Sequence, residues 1–149
     1  MVRLHTEIAM KRLILALGLG ALAAAAMAQD RGAAPAGAEV YFIAPRDGAV
    51  VNGPVTVKFG LKGMGVAPAG VKVDNTGHHH LLVDTDVSDL KLDAPLPAND
   101  KVMHFGKGQT ETTLTLAPGK HTLELLFADS AHMSFDPPLH SKKITITVK

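Results

Sequence analysis

Apolar residues recur at every second position in one segment after another of this chain, and that period confines its fold. Val55, Val57, Phe59 and Leu61 alternate with Thr56, Lys58 and Gly60. Thr110, Thr112, Leu114 and Leu116 alternate with Glu111, Thr113 and Thr115. His121, Leu123, Leu125 and Phe127 share a face opposite Thr122, Glu124 and Leu126, and Ile144, Ile146 and Val148 close the chain in the same rhythm. Successive residues of an extended chain point to opposite sides, so a period of two marks a strand with one buried face. Residues 40–43, 78–84 and 102–105 add shorter runs, for about seven predicted strands.

Turn chemistry separates them. Pro45 with Arg46-Asp47-Gly48, Asn52-Gly53-Pro54 and Pro118-Gly119 are turns. Gly106-Lys107-Gly108 reads as a hairpin turn, since it lacks the Walker spacing and a following helix. Residues 60–70, with four glycines, and 129–141, broken by Pro137-Pro138, read as loops. Residues 86–100 read as a long surface connection. Short strands at this spacing predict an all-β, immunoglobulin-like antiparallel β-sandwich of about seven strands. Leu116, Gly119, His121 and Leu123 fit the corner entering the sixth strand of such a sandwich. There a side chain two residues before a buried position bonds back to the corner, so His121 is expected to be structural.

The N-terminus has a different character. Lys11 and Arg12 precede an apolar run from Leu13 to Ala26, followed by Ala26-Met27-Ala28 before Gln29. A basic start, a short apolar stretch and a small-x-small site form a cleavable signal peptide over residues 1–28, with Met10 as an alternative start. The run is shorter than the roughly 20 residues of a membrane span, so no stable span is expected after cleavage. Residues 29–38, rich in Ala, Gly and Pro, then form a flexible leader, and 39–149 the sandwich domain. Removing residues 1–28 leaves about 121 residues, enough for one sandwich core. The expected location is periplasmic or secreted.

Cleavage takes Arg3, Lys11, Arg12 and Glu7 away and moves the formal charge from +1 to −1. A near-neutral chain with no basic run offers no footprint for nucleic acid. With no cysteine, the exported domain has neither a disulfide nor a thiolate metal site. Its coordinating chemistry is histidine: seven of the eight lie after residue 28. Three are consecutive, in Thr76-Gly77-His78-His79-His80-Leu81-Leu82-Val83-Asp84. Strand geometry splits the triplet, placing His78 and His80 on one face and His79 on the other with Leu81 and Val83. A His-x-His face offers two imidazoles to one metal, and His104 and His132 are the candidates to complete the set. Neutral imidazole suits zinc, copper or nickel; Met103 beside His104 and Met133 beside His132 add a hint of copper. His140 is expected on a loop surface.

Other signals carry less. Asp84, Asp86 and Asp89 lack the glycine and distal glutamate of a calcium loop. No Gly-x-Ser-x-Gly elbow or other catalytic signature is present, so no enzyme is expected. Glu111 is near enough to His104 in sequence to be a supporting carboxylate.

The stretches Phe42 to Gly48, Thr76 to Asp84, His104 to Glu111, and Leu116 to Asp129 with His132 resemble those of the bacterial domain of unknown function 4399 family. With the last strand they span the mature chain. That resemblance implies a secreted or periplasmic immunoglobulin-like domain and implies no activity. Two functions remain in view. One is a periplasmic or secreted copper- or zinc-binding module using His78, His80, His104 and His132. The other is a non-metal module of the cell envelope recognising a glycan, peptide or protein partner.

Overall fold

The structure, a computed structural model, describes residues 30–149. The expected signal peptide and the Met10 start lie outside those residues. Ten strands follow in chain order: β1 (Glu39–Ala44), β2 (Val50–Val51), β3 (Val55–Lys62), β4 (Gly65–Val66), β5 (Thr76–Val83), β6 (Val102–His104), β7 (Glu111–Leu114), β8 (Gly119–Ala128), β9 (Ser134–His140) and β10 (Ile144–Val148). A single 3-10 turn, Val87–Asp89, is the only helical element among the described residues. Among them, no helix is long and apolar enough to cross a membrane.

Strands β1, β3 and β7 form one antiparallel sheet in the order β1-β3-β7. In the second sheet β5 and β8 lie antiparallel at the centre. Strands β4 and β6 share the other edge of β5, while β9 and β10 share the other edge of β8. Short β2 pairs with β10 and β4 with β5 in parallel, small exceptions to an otherwise antiparallel pattern. The chain passes from β6 in one sheet to β7 in the other and back to β8, as an immunoglobulin-like sandwich requires.

The wiring corrects three local expectations. Gly106-Lys107-Gly108 is a turn but not a hairpin, because β6 pairs with β5 and β7 with β3, in different sheets. Turn residues specify a reversal, not which sheet the next strand joins. Residues 134–140, expected as loop, form β9 despite Pro137-Pro138. That strand sits at an edge and its register shifts across the prolines, so the missing N–H groups leave no ladder bond unmade. Residues 60–70 are not wholly loop either: β3 runs to Lys62 and β4 follows. The segment expected as a leader lies against β9 from residue 31. Arg31 donates to the Ser134 carbonyl at 3.0 Å, and the Asp136 N–H donates to the Gly32 carbonyl at 3.0 Å.

Between the sheets lies the main core: Val55, Val57 and Phe59 of β3 face Leu81, Val83, Leu123, Leu125 and Ile146. Fully burying one such side chain stabilises the fold by about 1.5–3 kcal/mol, and truncating Leu125 to Ala would cost about 2–5 kcal/mol. The outer face of the larger sheet is buried too. Residues 86–100, expected as a surface connection, fold over it, and Val87 and Leu96 pack with Leu82, Val102, Leu126 and Ala128 into a second, smaller core. The run Leu125-Leu126-Phe127-Ala128 is unbroken for this reason: β8 is covered on both sides.

Candidate metal centre

The second core does not reach the start of β5. There the outer face carries His78 and His80, since side chains alternate and Leu82 continues the same row into the apolar cluster. His104 of β6 is paired with His80. On the other flank His78 is paired with Ala128, whose small side chain leaves space beside it. The fourth imidazole comes from the loop after β8. Asp129 Oδ1 accepts from the N–H groups of Ala131, at 2.8 Å, and Met133, at 2.9 Å. Its own N–H donates to the Met133 carbonyl at 2.9 Å, closing a tight turn with His132 inside it. The Leu96 N–H anchors the His132 carbonyl at 2.9 Å. His132 is held at φ 64°, a left-handed conformation costing a non-glycine residue about 1–2 kcal/mol. Such strain persists where surrounding bonds enforce it, commonly at functional sites.

Three imidazoles meet as a result, with a fourth beside them. His104 Nε2 and His132 Nε2 are 3.1 Å apart. One ligand nitrogen each from His78, His104 and His132 lies within 4.8 Å of the other two. The ring centroid of His80 is 4.9 Å from that of His78, 5.2 Å from His104 and 6.3 Å from His132. His78 and His80 are fully buried, while His104 and His132 are half-buried and form the side open to approach. Neither ring nitrogen of His78 or His80 has a hydrogen-bond partner. Burial, then the neighbouring imidazoles His104 and His132, push His78 down to about 4 against a small opposing pull from Asp129. Burial and the cluster push His80 to about 3, and burial followed by His132 lowers His104. These rings are therefore neutral at neutral pH, the form that donates a lone pair to a metal.

Of the four sequence-predicted ligands, His78, His104 and His132 bring ring nitrogens together, and His80 lies beside them with its ring near His78 and His104. His79 faces the main core instead, its ring 5.1 Å from Phe59 and 4.9 Å from Phe127. Burial, then His78, lowers it to about 4, and both of its nitrogens also lack partners. Met103 pairs with Leu81 and packs against the main core, on the side of β6 away from His104. Glu111, the proposed supporting carboxylate, is exposed on β7 and paired with Lys58. His140 is not on a loop: it ends β9, and its Nδ1 is 2.8 Å from Oε1 of the buried Glu124. His121 takes its expected corner role, with Nε2 2.8 Å from the Ala117 carbonyl oxygen and Nδ1 2.7 Å from Asp84 Oδ2.

Two residues that shape the centre escape a reading of ligands alone. Asp129 was visible only as the first residue of a turn; the pattern Asp129-x-Ala131 is an Asx-turn signature. Gly106 follows His104 by two, and a Cβ built there would lie 2.2 Å from His104 Cε1 and 2.4 Å from Nε2. The absence of a side chain at Gly106 is what lets that ring occupy its place.

The family described as domain of unknown function DUF4399 matches residues 57–149, a stretch that contains every one of these imidazoles. The chain belongs to the DUF4399 family. The match begins inside β3, so the resemblance noted at Phe42 to Gly48 lies ahead of it. Among curated proteins none matches this DUF4399 chain. Two solved structures are similar to it. One is an endo-beta-1,4-mannanase from Thermotoga petrophila, 19% identical with a TM-score of 0.43 over 75% of this chain. This DUF4399 chain spans only 20% of that enzyme's length. The other is the fibronectin(III)-like modules of Clostridium thermocellum CbhA, 14% identical with a TM-score of 0.33, covering 73% of this chain and 92% of that one.

Proposed function

We propose that this DUF4399 domain is an exported module that binds a transition metal, copper or zinc, on His78, His104 and His132 with His80 beside them. The observation that supports this reading is the convergence of ring nitrogens from His78, His104 and His132 beside the buried nitrogens of His78 and His80, which have no hydrogen-bond partner. Native proteins satisfy nearly all buried polar atoms, and unsatisfied ones call for an explanation such as an ion. A tetrahedral metal with bonds of about 2.0–2.1 Å holds neighbouring nitrogens roughly 3.3 Å apart. The 3.1 Å between His104 and His132 is close to that spacing. Half-exposure of the same two rings gives the ion a way in and out, which suits storage, delivery or buffering.

Titration of the purified protein with Zn(II), and with Cu(I) under reducing conditions, tests the reading. One equivalent should bind, and His104→Ala with His132→Ala should abolish it while thermal unfolding stays cooperative. Equal, weak binding by the parent protein and this double variant would sink the proposal.

A further inference from the structure

The three rings of the triad are nearly equidistant, and that fact selects among metals. Their centroids are separated by 4.7 Å (His104 to His132), 4.9 Å (His78 to His104) and 5.0 Å (His78 to His132). With bonds of about 2.0–2.1 Å and a ring centre roughly 1.1 Å beyond the nitrogen, tetrahedral ligands place centroids about 5.2 Å apart. By the same arithmetic, three corners of a square would give two separations of about 4.5 Å and one of about 6.4 Å. No pair within the triad approaches that long diagonal. The three imidazoles form a cap over one side of a centre, and a square-planar coordination set would require one of them to cross to the far side.

His80 adjoins the cap: its nitrogens are not among those that meet within 4.8 Å, but its ring lies beside two of the three. Its separations of 4.9 Å from His78 and 5.2 Å from His104 are already those of a tetrahedral pair. Only the 6.3 Å to His132 is long. His132 belongs to the short Asp129 turn while His78, His80 and His104 belong to paired strands. The adjustment that closes the site is therefore a movement of the His132 turn towards β5, with the strands left in place.

Given the metal reading of this cluster, we propose that it is a four-imidazole tetrahedral centre for a closed-shell d10 cation, Zn(II) or Cu(I), in which His80 is the closing ligand. Such ions have no electronic preference for a plane, whereas Cu(II) and Ni(II) favour tetragonal sets. The chemistry common to both candidate ions is a soft-to-borderline cation content with four neutral nitrogens. Which of them is bound follows from whether a reductant is needed.

Co(II) substitution and competition decide the matter. The Co(II) protein should show the intense visible bands of tetrahedral cobalt, and Zn(II) should outcompete Ni(II) by at least about tenfold, against a general order that gives zinc no such advantage. His80→Ala and the bulkier His80→Gln should each weaken Zn(II) binding at least about tenfold and alter the cobalt bands as a solvent oxygen replaces nitrogen. Circular dichroism checks that both variants fold, and Gln serves if Ala does not. Weak octahedral cobalt bands, Ni(II) binding as tightly as Zn(II), or a folded His80 variant with undiminished affinity would overturn this inference while leaving a metal-binding module in place. Failure of every ion to bind would remove both.

Discussion

A Cβ on Gly106 would lie 2.2 Å from Cε1 and 2.4 Å from Nε2 of the His104 imidazole, so the ring in its present position fills the space a side chain at 106 would need. The imidazole atoms are the far end of a side chain and can swing aside, while Ala69 Cβ, 3.2 Å away, must give by a few tenths of an ångström. Gly106→Ala should therefore cost the fold little, under about 1 kcal/mol, yet displace His104 and reduce metal affinity at least about tenfold. Parallel melting curves and Zn(II) titrations separate the two effects. An alanine variant that binds as tightly as the parent would show that the ring has another productive position.

The strain at His132 predicts a trade between stability and binding. Replacing it with glycine removes the left-handed penalty of about 1–2 kcal/mol and adds a chain-entropy cost of about 0.5–1 kcal/mol. His132→Gly should leave the metal-free protein as stable as the parent, or slightly more so, while losing a ligand. The turn itself depends on a carboxylate accepting two N–H groups. Asp129→Ala should destabilise by about 1.5–3 kcal/mol, and Asp129→Asn, which keeps an acceptor oxygen, should recover part of that loss. Denaturant midpoints of the three variants provide the check.

His121 and Asp84 predict a pH dependence separable from the site. Hydrogen bonds to Asp84 and to the Ala117 carbonyl raise His121 above 6.5, and both ring nitrogens face acceptors, an arrangement that only the imidazolium satisfies as donor. Partial burial pushes Asp84 up, but hydrogen bonds from His121 and the Thr122 N–H outweigh it and hold the carboxyl below 3.8. The raised base contributes stability fully below 6.5 and loses it as pH rises through its folded value; the depressed acid contributes above 3.8 and loses it as pH falls through its own. The lowered histidines of β5 act in the opposite sense, adding stability as pH climbs from about 4 towards 6.5. Comparing the metal-free parent with Asp84→Asn cancels that shared background. The parent's advantage should be largest between pH 4 and 6.5 and shrink towards alkaline pH; a constant difference would contradict the ion pair.

His79 carries a prediction of the opposite kind. Its two nitrogens lie unpartnered in the main core between Phe59 and Phe127. An apolar side chain of similar volume removes that desolvation cost, so His79→Leu should leave stability unchanged or raise it by about 1 kcal/mol, with metal affinity intact. Loss of more than about 2 kcal/mol would instead reveal a polar partner for this ring.

How far the sequence alone reaches is visible in particular residues. The alternation of β3, β8 and β10 located the sandwich, and the His-x-His spacing located half of the centre, because both follow from a period that every extended chain obeys. The corner at His121 was legible for a similar reason: it depends on residues close together in sequence. β9 was hidden because proline speaks against a strand in general but not at an edge with a shifted register. The cover formed by Val87 and Leu96 was hidden because two apolar residues in a proline-containing connection have no period to betray them. Gly106 and Asp129 act on histidines through the tertiary arrangement of turns, and local patterns do not record which turn will meet which strand.

The alternation along β5 has a consequence for how this chain tolerates change. His79, Leu81 and Val83 serve one face of the sheet while His78, His80 and Leu82 serve the other. A strand slipped by one residue exchanges its two faces. Deleting one of the three histidines, with the strand held at Gly77, would leave an imidazole on the inner face but put Leu81 on the outer face where His80 stands. The histidine cluster and the core are written in the same reading frame, and neither can drift without the other.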